Sequence, residues 1–157
     1  MKILLLVIGK TDEPYIETGL TKYINRIVHY APFEVKVIAD IKNRKALSEE
    51  QQKKAEGSLI LAQLAENDVI VLLDENGKQL TSRQFSQCIE RKMANLSRRI
   101  VFVIGGPYGF FDEVYAKADE KISLSPMTFS HQMVRLIFLE QLYRAFTIIK
   151  GESYHHD

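Results

Sequence analysis

Two stretches of the chain lack polar alternation: Val69-Ile70-Val71-Leu72-Leu73 and Ile100-Val101-Phe102-Val103-Ile104. A strand with one face in water alternates apolar and polar residues, so unbroken runs of this length predict strands covered on both faces, central in a parallel sheet. Strands are expected over Asp68 to Leu73 and Arg99 to Ile104, and further ones over Lys2 to Ile8, Phe33 to Ala39 and Lys121 to Leu124. That makes a sheet of about five strands. Helical patterns fall between them. Thr11-Asp12-Glu13-Pro14 places a cap and an early proline before a helix running towards His29, and others are expected over Ser48 to Leu64, Ser82 to Leu96 and, briefly, Glu113 to Ala118. Strands alternating with helices predict a single α/β domain spanning residues 1–157, with helices on both faces of a parallel sheet.

The last helix, about Ser130 to Lys150, departs from the usual amphipathic pattern. At about 100° per residue, Val134, Phe138 and Ala145 fall on one side, Leu136 and Thr147 opposite, and Leu142 and Phe146 between. A helix apolar nearly all round wants protein on every side, which predicts that a second copy covers part of it in a homodimer.

Composition narrows the partners. The 157 residues are 46% hydrophobic, with 21 basic against 20 acidic side chains and a net charge of +1, so any nucleic-acid contact has to come from a local patch. The single cysteine, Cys88, forms no internal disulfide, and no Cys/His spacing suggests a metal. Both features suit a reducing, cytoplasmic setting. The apolar opening Ile3 to Ile8 is shorter than a membrane span and ends in Gly9-Lys10, without a cleavage signal, so no membrane role is expected.

Four segments could carry chemistry. Ile104-Gly105-Gly106-Pro107-Tyr108-Gly109-Phe110 follows a central strand, and glycines there let the backbone turn sharply beside a ligand. Its spacing is neither the dinucleotide fingerprint nor a P-loop, and a plain strand-to-helix turn stays equally open. Leu124-Ser125-Pro126-Met127-Thr128-Phe129-Ser130-His131 offers backbone donors and an apolar slot, although Ser130 is already explained as a helix cap. On the last helix, His131 with Arg135 and Glu140 with Arg144 lie four apart, either as plain surface pairs or facing a cleft, where arginine forks suit phosphate. The tail Gly151-Glu152-Ser153-Tyr154-His155-His156-Asp157 reads as a frayed end, or as a Tyr/His pair able to stack on a base and exchange protons. The polar stretch Asp40 to Lys53 reads as a solvated face, with a mobile loop and helix start as the alternative.

Taken together, the order I-G-G-x-x-G, L-S-x-M-T-F-x-H-Q-M-x-R, E-Q-x-Y-R-A and a terminal G-E-x-Y-H resembles the bacterial ribosomal RNA pseudouridine N3-methyltransferases of the SPOUT class. Met1-Lys2-Ile3 to Gly9-Lys10 and the turn Leu73-Asp74-Glu75-Asn76-Gly77-Lys78 also match, so the likeness spans nearly the whole chain. Asp40 to Ala55 matches least, and Ser130 stands where family members often carry proline.

The resemblance implies a SPOUT-type α/β-knot, a sheet whose C-terminal part threads a trefoil knot, as a homodimer. It also implies S-adenosylmethionine as cofactor and 23S ribosomal RNA in the ribosome as substrate. Carried over by motif, Leu73, Gly105, Leu124, Ser125, Pro126, Met127, Thr128 and Phe129 would bind the cofactor. Arg135, Glu140 and Arg144 would hold RNA, while Tyr154 and His155 close over the base with His131 as second-choice proton acceptor; no metal is needed. Other SPOUT methyltransferases acting on another RNA, a non-catalytic ribosome-binding module and a nucleotide-dependent oxidoreductase are the alternatives, the last disfavoured by the missing fingerprint.

Overall fold

The two unbroken apolar runs lie side by side in the interior of one parallel sheet. A computed structural model describes residues 2–95 and 98–157. In chain order its elements are β1 (Ile3–Ile8), α1 (Pro14–Ile27), β2 (Phe33–Ile38), α2 (Glu49–Leu61), β3 (Val69–Gln79), α3 (Ser82–Met93), β4 (Ile100–Ile104), α4 (Asp112–Lys117), β5 (Glu120–Ser123) and α5 (His131–Ile149). The strand order is β2-β1-β4-β3-β5 and every pairing is parallel. This gives β4, flanked by β1 and β3, the central place expected of it. The expected end of the third helix at Leu96 lies outside the described residues.

Residues alternate between the two faces of each strand, and each face has its own apolar layer. Leu5, Val71 and Phe102 point to the layer formed with α1, α3 and α5; Leu4, Leu72 and Val103 point to the one formed with Ile60 of α2 and Val114 of α4. Local chemistry fixes where several helices begin. Ser48 caps α2 and Thr81 caps α3, each reciprocated by a glutamine three residues on, and Ser130 Oγ accepts from the Met133 amide at the start of α5.

One expectation changes. The stretch Leu73 to Lys78, read as a turn, belongs to β3: Leu73 and Lys78 both pair with Ile122, so residues 74–77 loop out while the strand resumes beside β5. Part of the apolar circumference of α5 meets its own subunit, while Val134, Leu136, Ile148 and Ile149 stay partly exposed. Its Phe138 packs on Phe102 of the sheet, with rings 4.8 Å apart. Its sides meet α3 and α1, where Leu136 lies so close to Gly19 that a Cβ there would fall 2.7 Å away. Among the described residues, no helix is long and apolar enough to cross a membrane.

Candidate active site

Three strands release their chains at the same end of the sheet, and the loops that follow enclose a cavity of about 410 Å³. The loop within β3 supplies Leu73, Asp74, Glu75 and Asn76, and the turn after β4 supplies Gly105 to Phe110. The segment after β5 completes it with Ser123 to Ser125 and Met127 to Phe129. The start of α5 adds His131 and Val134. Ligand sites in open α/β sheets sit at this end because the chain must leave each strand there, exposing backbone groups that no neighbour has paired.

The loops are tied to one another. Gly109 turns with φ +80° and its amide reaches the Gly106 carbonyl at 3.4 Å, which closes the glycine turn on itself. Ser125 Oγ accepts from the Met127 amide at 2.9 Å, and its carbonyl accepts from Ser123 Oγ at 3.0 Å. Across the cavity, Thr128 Oγ donates to Glu75 at 3.0 Å, and the Tyr115 hydroxyl donates to Asp74. Burial, then the Asp74 bond, pushes the Tyr115 phenol up to about 12, so it acts as a fixed donor. The resulting wall is apolar at Ile104, Leu124 and Phe129 and acidic at Asp74 and Glu75. Such a pocket suits a ligand with a flat ring and a positive charge.

Seven of the eight residues expected around a cofactor line this cavity; Pro126 does not. Asp74, Glu75, Asn76, Tyr108 and Tyr115 join them without having been singled out. The Asp-Glu-Asn-Gly sequence was visible as a turn signal. Where it would fold back depended on the unseen return of β3 to β5.

The remaining candidates divide between two places. His131 stands at the cavity rim, where partial burial and then the Arg135 charge hold its imidazole below the usual histidine range, with Asp40 opposing. It is therefore an uncharged base at neutral pH. Arg135 is buried, 2% exposed, and donates to the Ile8 carbonyl at 2.7 Å and to Thr11 Oγ at 3.0 Å. This corrects its expected role. Its guanidinium braces the end of β1 and offers no surface to RNA.

The second place is the far half of α5. Arg144 bridges Glu140 at 2.6 Å and lies over the Tyr154 ring at 4.7 Å, and Tyr154 donates to Glu140 at 3.1 Å. His155 Nδ1 lies 3.1 Å from Arg144 Nη1 and its Nε2 3.0 Å from Asp157, which Arg83 pairs at 2.7 Å. An arginine only donates, so Nδ1 accepts and Nε2 carries the hydrogen facing Asp157. Burial, Tyr23 and Glu140 raise the Tyr154 pKa, which makes the phenol a donor here. The tail is thus a folded strap on its own α5. Thirteen residues of helix separate Arg144 from His131, about 20 Å at the α-helical rise, so the strap does not reach its own chain's cavity.

A parallel α/β sheet with loops knitted into one carboxyl-end pocket is the architecture of a group of methyltransferases. The fold is similar to a "probable methyltransferase" from Bordetella pertussis, with TM-score 0.57 and 11% identity over 92% of this chain and 96% of that one. It is also similar to a "probable methylase family protein" from Haemophilus influenzae, with TM-score 0.53 over 99% of this chain and 70% of that one. The chain belongs to the SPOUT methyltransferases: residues 1–155 match the family described as "Predicted SPOUT methyltransferase". Proteins named "Ribosomal RNA large subunit methyltransferase H" are similar along their entire length. The one from Parabacteroides distasonis is 60% identical over 100% of both chains, and those from Christiangramia forsetii and Flavobacterium psychrophilum are 57% and 56% identical over 99% of both.

Proposed function

We propose that this methyltransferase uses S-adenosylmethionine to methylate N3 of a pseudouridine in 23S ribosomal RNA, acting in the cytoplasm as a homodimer on the assembled ribosome. The observation that carries the reading is the full-length 60% identity to a relative named for large-subunit ribosomal RNA methylation, joined to a pocket whose chemistry suits the cofactor. A cavity of about 410 Å³ lies within the usual range for such ligands. Ile104, Leu124 and Phe129 offer apolar walls for adenine, and Asp74 and Glu75 offer negative charge to an ammonium or sulfonium.

When bound, the cofactor supplies a methyl group on a positively charged sulfur, ready for in-line displacement. The protein's share is alignment and proton removal. Leu73, Gly105 and the Leu124 to Phe129 segment orient the donor, and exposed Tyr108 and Met127 at the mouth present apolar surface to an incoming base. The imide proton on N3 must leave before or during attack. His155 is the first candidate acceptor, delivered with Tyr154 from a second copy, since its own chain holds it about 20 Å of helix from the pocket; His131 on the rim is the second. Glu140 and Arg144, which hold the strap now, become the RNA contacts once it is engaged. The trefoil knot belongs to this reading too. It rests on the family membership, residues 1–155 matching the SPOUT methyltransferases.

With a net charge of +1, the chain has little general hold on naked RNA. Methylation of ribosomes lacking the modification is expected to exceed that of protein-free 23S RNA by about 100-fold in kcat/KM, the scale of a few lost contacts. Equal efficiency on both would remove the ribosome from the proposal.

A further inference from the structure

Just beyond the polar stretch of residues 40–53, α2 contributes an unusual buried group. Glu56 on α2 is 5% exposed and its Oε1 is buried with no hydrogen-bond partner. A buried carboxyl oxygen left unpaired costs free energy, and a surface helix has many positions where a glutamate would lose nothing. Its neighbours on the same face are buried as well. Gln52 lies one turn earlier, and Gly57 packs so closely on α4's start that a Cβ there would fall 2.8 Å from Phe111 Cβ.

What this face meets is the glycine turn. A Cβ on Gly106 would fall 2.4 Å and 2.6 Å from the two carboxyl oxygens of Glu56, so the carboxyl lies directly against the Gly106 α-carbon. Gly105 and Gly106 also line the cavity. The turn is a wall one backbone thick, with Glu56 behind it and the pocket in front. Arg44, whose charge acts on the carboxyl, is itself paired with Asp40 at 3.3 Å.

We infer that Glu56 is a positioning residue for the cofactor: packed behind Gly106, its side chain sets how far the Gly105–Gly106 backbone projects into the pocket and thereby sets cofactor affinity. This rests on the pocket being the cofactor site. The carboxyl's surroundings add a signature. Burial raises its pKa and Asp40 adds to this, while the Gln52 hydrogen bond and Arg44 oppose; Phe111 and Val114, which pack against the adjacent Gly57, carry no charge. The protonated form therefore persists above the usual carboxylate range. A ligand lying over the turn adds to the carboxyl's burial and so favours its neutral form further, and by linkage affinity should fall as pH rises through its pKa.

The test is calorimetric binding of S-adenosylhomocysteine across pH, with amide hydrogen exchange of residues 104–110 in the cofactor-free protein as a second readout. Glu56→Ala is expected to weaken binding about tenfold and to speed exchange in the turn. Glu56→Gln, similar in shape and never ionised, should stay within about threefold of wild type and lose the fall in affinity at high pH. Gly106→Ala should weaken binding about tenfold or more because its methyl meets the carboxyl, and Glu56→Ala in the same chain should recover most of that loss. Overturning results are wild-type affinity in Glu56→Ala, or a double variant that merely multiplies the two single losses. If wild type binds no S-adenosylhomocysteine, the cofactor reading fails; the exchange experiment still decides the positioning claim, since unchanged exchange in Glu56→Ala overturns it.

Discussion

Alanine at position 77 is expected to cost the protein about 3 kcal/mol, the upper end for forcing one extra methyl into a packed site, and to abolish most cofactor binding. The loop of residues 74–77 returns to the sheet directly beside β5, where Lys78 pairs with Ile122. A Cβ on Gly77 would lie 2.6 Å from the Ile122 nitrogen and 2.7 Å from the carbonyl carbons of Lys121 and Ile122. All three are backbone atoms, which cannot swing aside as a side-chain tip would. Relief requires moving β5, a four-residue edge strand paired with β3, and β5 carries the Leu124 to Phe129 segment on its end. Stability and pocket therefore fail together. A thermal melt should fall by about 6–12 °C for a chain of this size, with cofactor affinity reduced in the remaining folded protein. A fall below about 2 °C would mean that β5 is not held by this crossing.

The second large effect concerns the tail. Replacing Tyr154 and His155 together is expected to slow single-turnover methyl transfer at least about 100-fold, the usual weight of a positioned proton acceptor, while cofactor affinity stays near wild type. The same strap that would serve chemistry is bound in this structure by Arg144, Glu140 and Arg83 of its own chain. Service in a second copy's pocket makes a quantitative demand. Mix the tail variant with a pocket variant, Gly105→Val, whose side chain would crowd Phe110, a Cβ there already falling 2.9 Å from the ring. Random reassortment makes half the dimers mixed, each with one whole site if the tail crosses over, which restores about a quarter of wild-type activity. A tail acting on its own pocket would restore none.

Much of this was legible in the residues. The run Ile100 to Ile104 announced a strand covered on both faces, and it is the centre of the sheet. The glycine turn and the Leu124 to Phe129 segment were recognisable because a strand's end followed by small and polar residues is a local signal, and both line the cavity. What sequence could not supply was packing at a distance. Gln52 and Glu56 lie in or beside a stretch so rich in Lys, Glu and Gln that it reads as solvated, yet both are buried, Glu56 against the glycine turn. Arg135 looked like a phosphate ligand because its two acceptors, Ile8 and Thr11, are more than 120 residues away in the chain. Each miss came from a partner whose position only the fold determines.

The central claim is the identity of the methylated atom. Purified protein is incubated with methyl-labelled S-adenosylmethionine and ribosomes from cells lacking the modification, and the labelled nucleoside is then identified by mass spectrometry. Label in N3-methylpseudouridine of the 23S RNA is the predicted result. Label in any other nucleoside, or none despite bound cofactor, would contradict the account of this site.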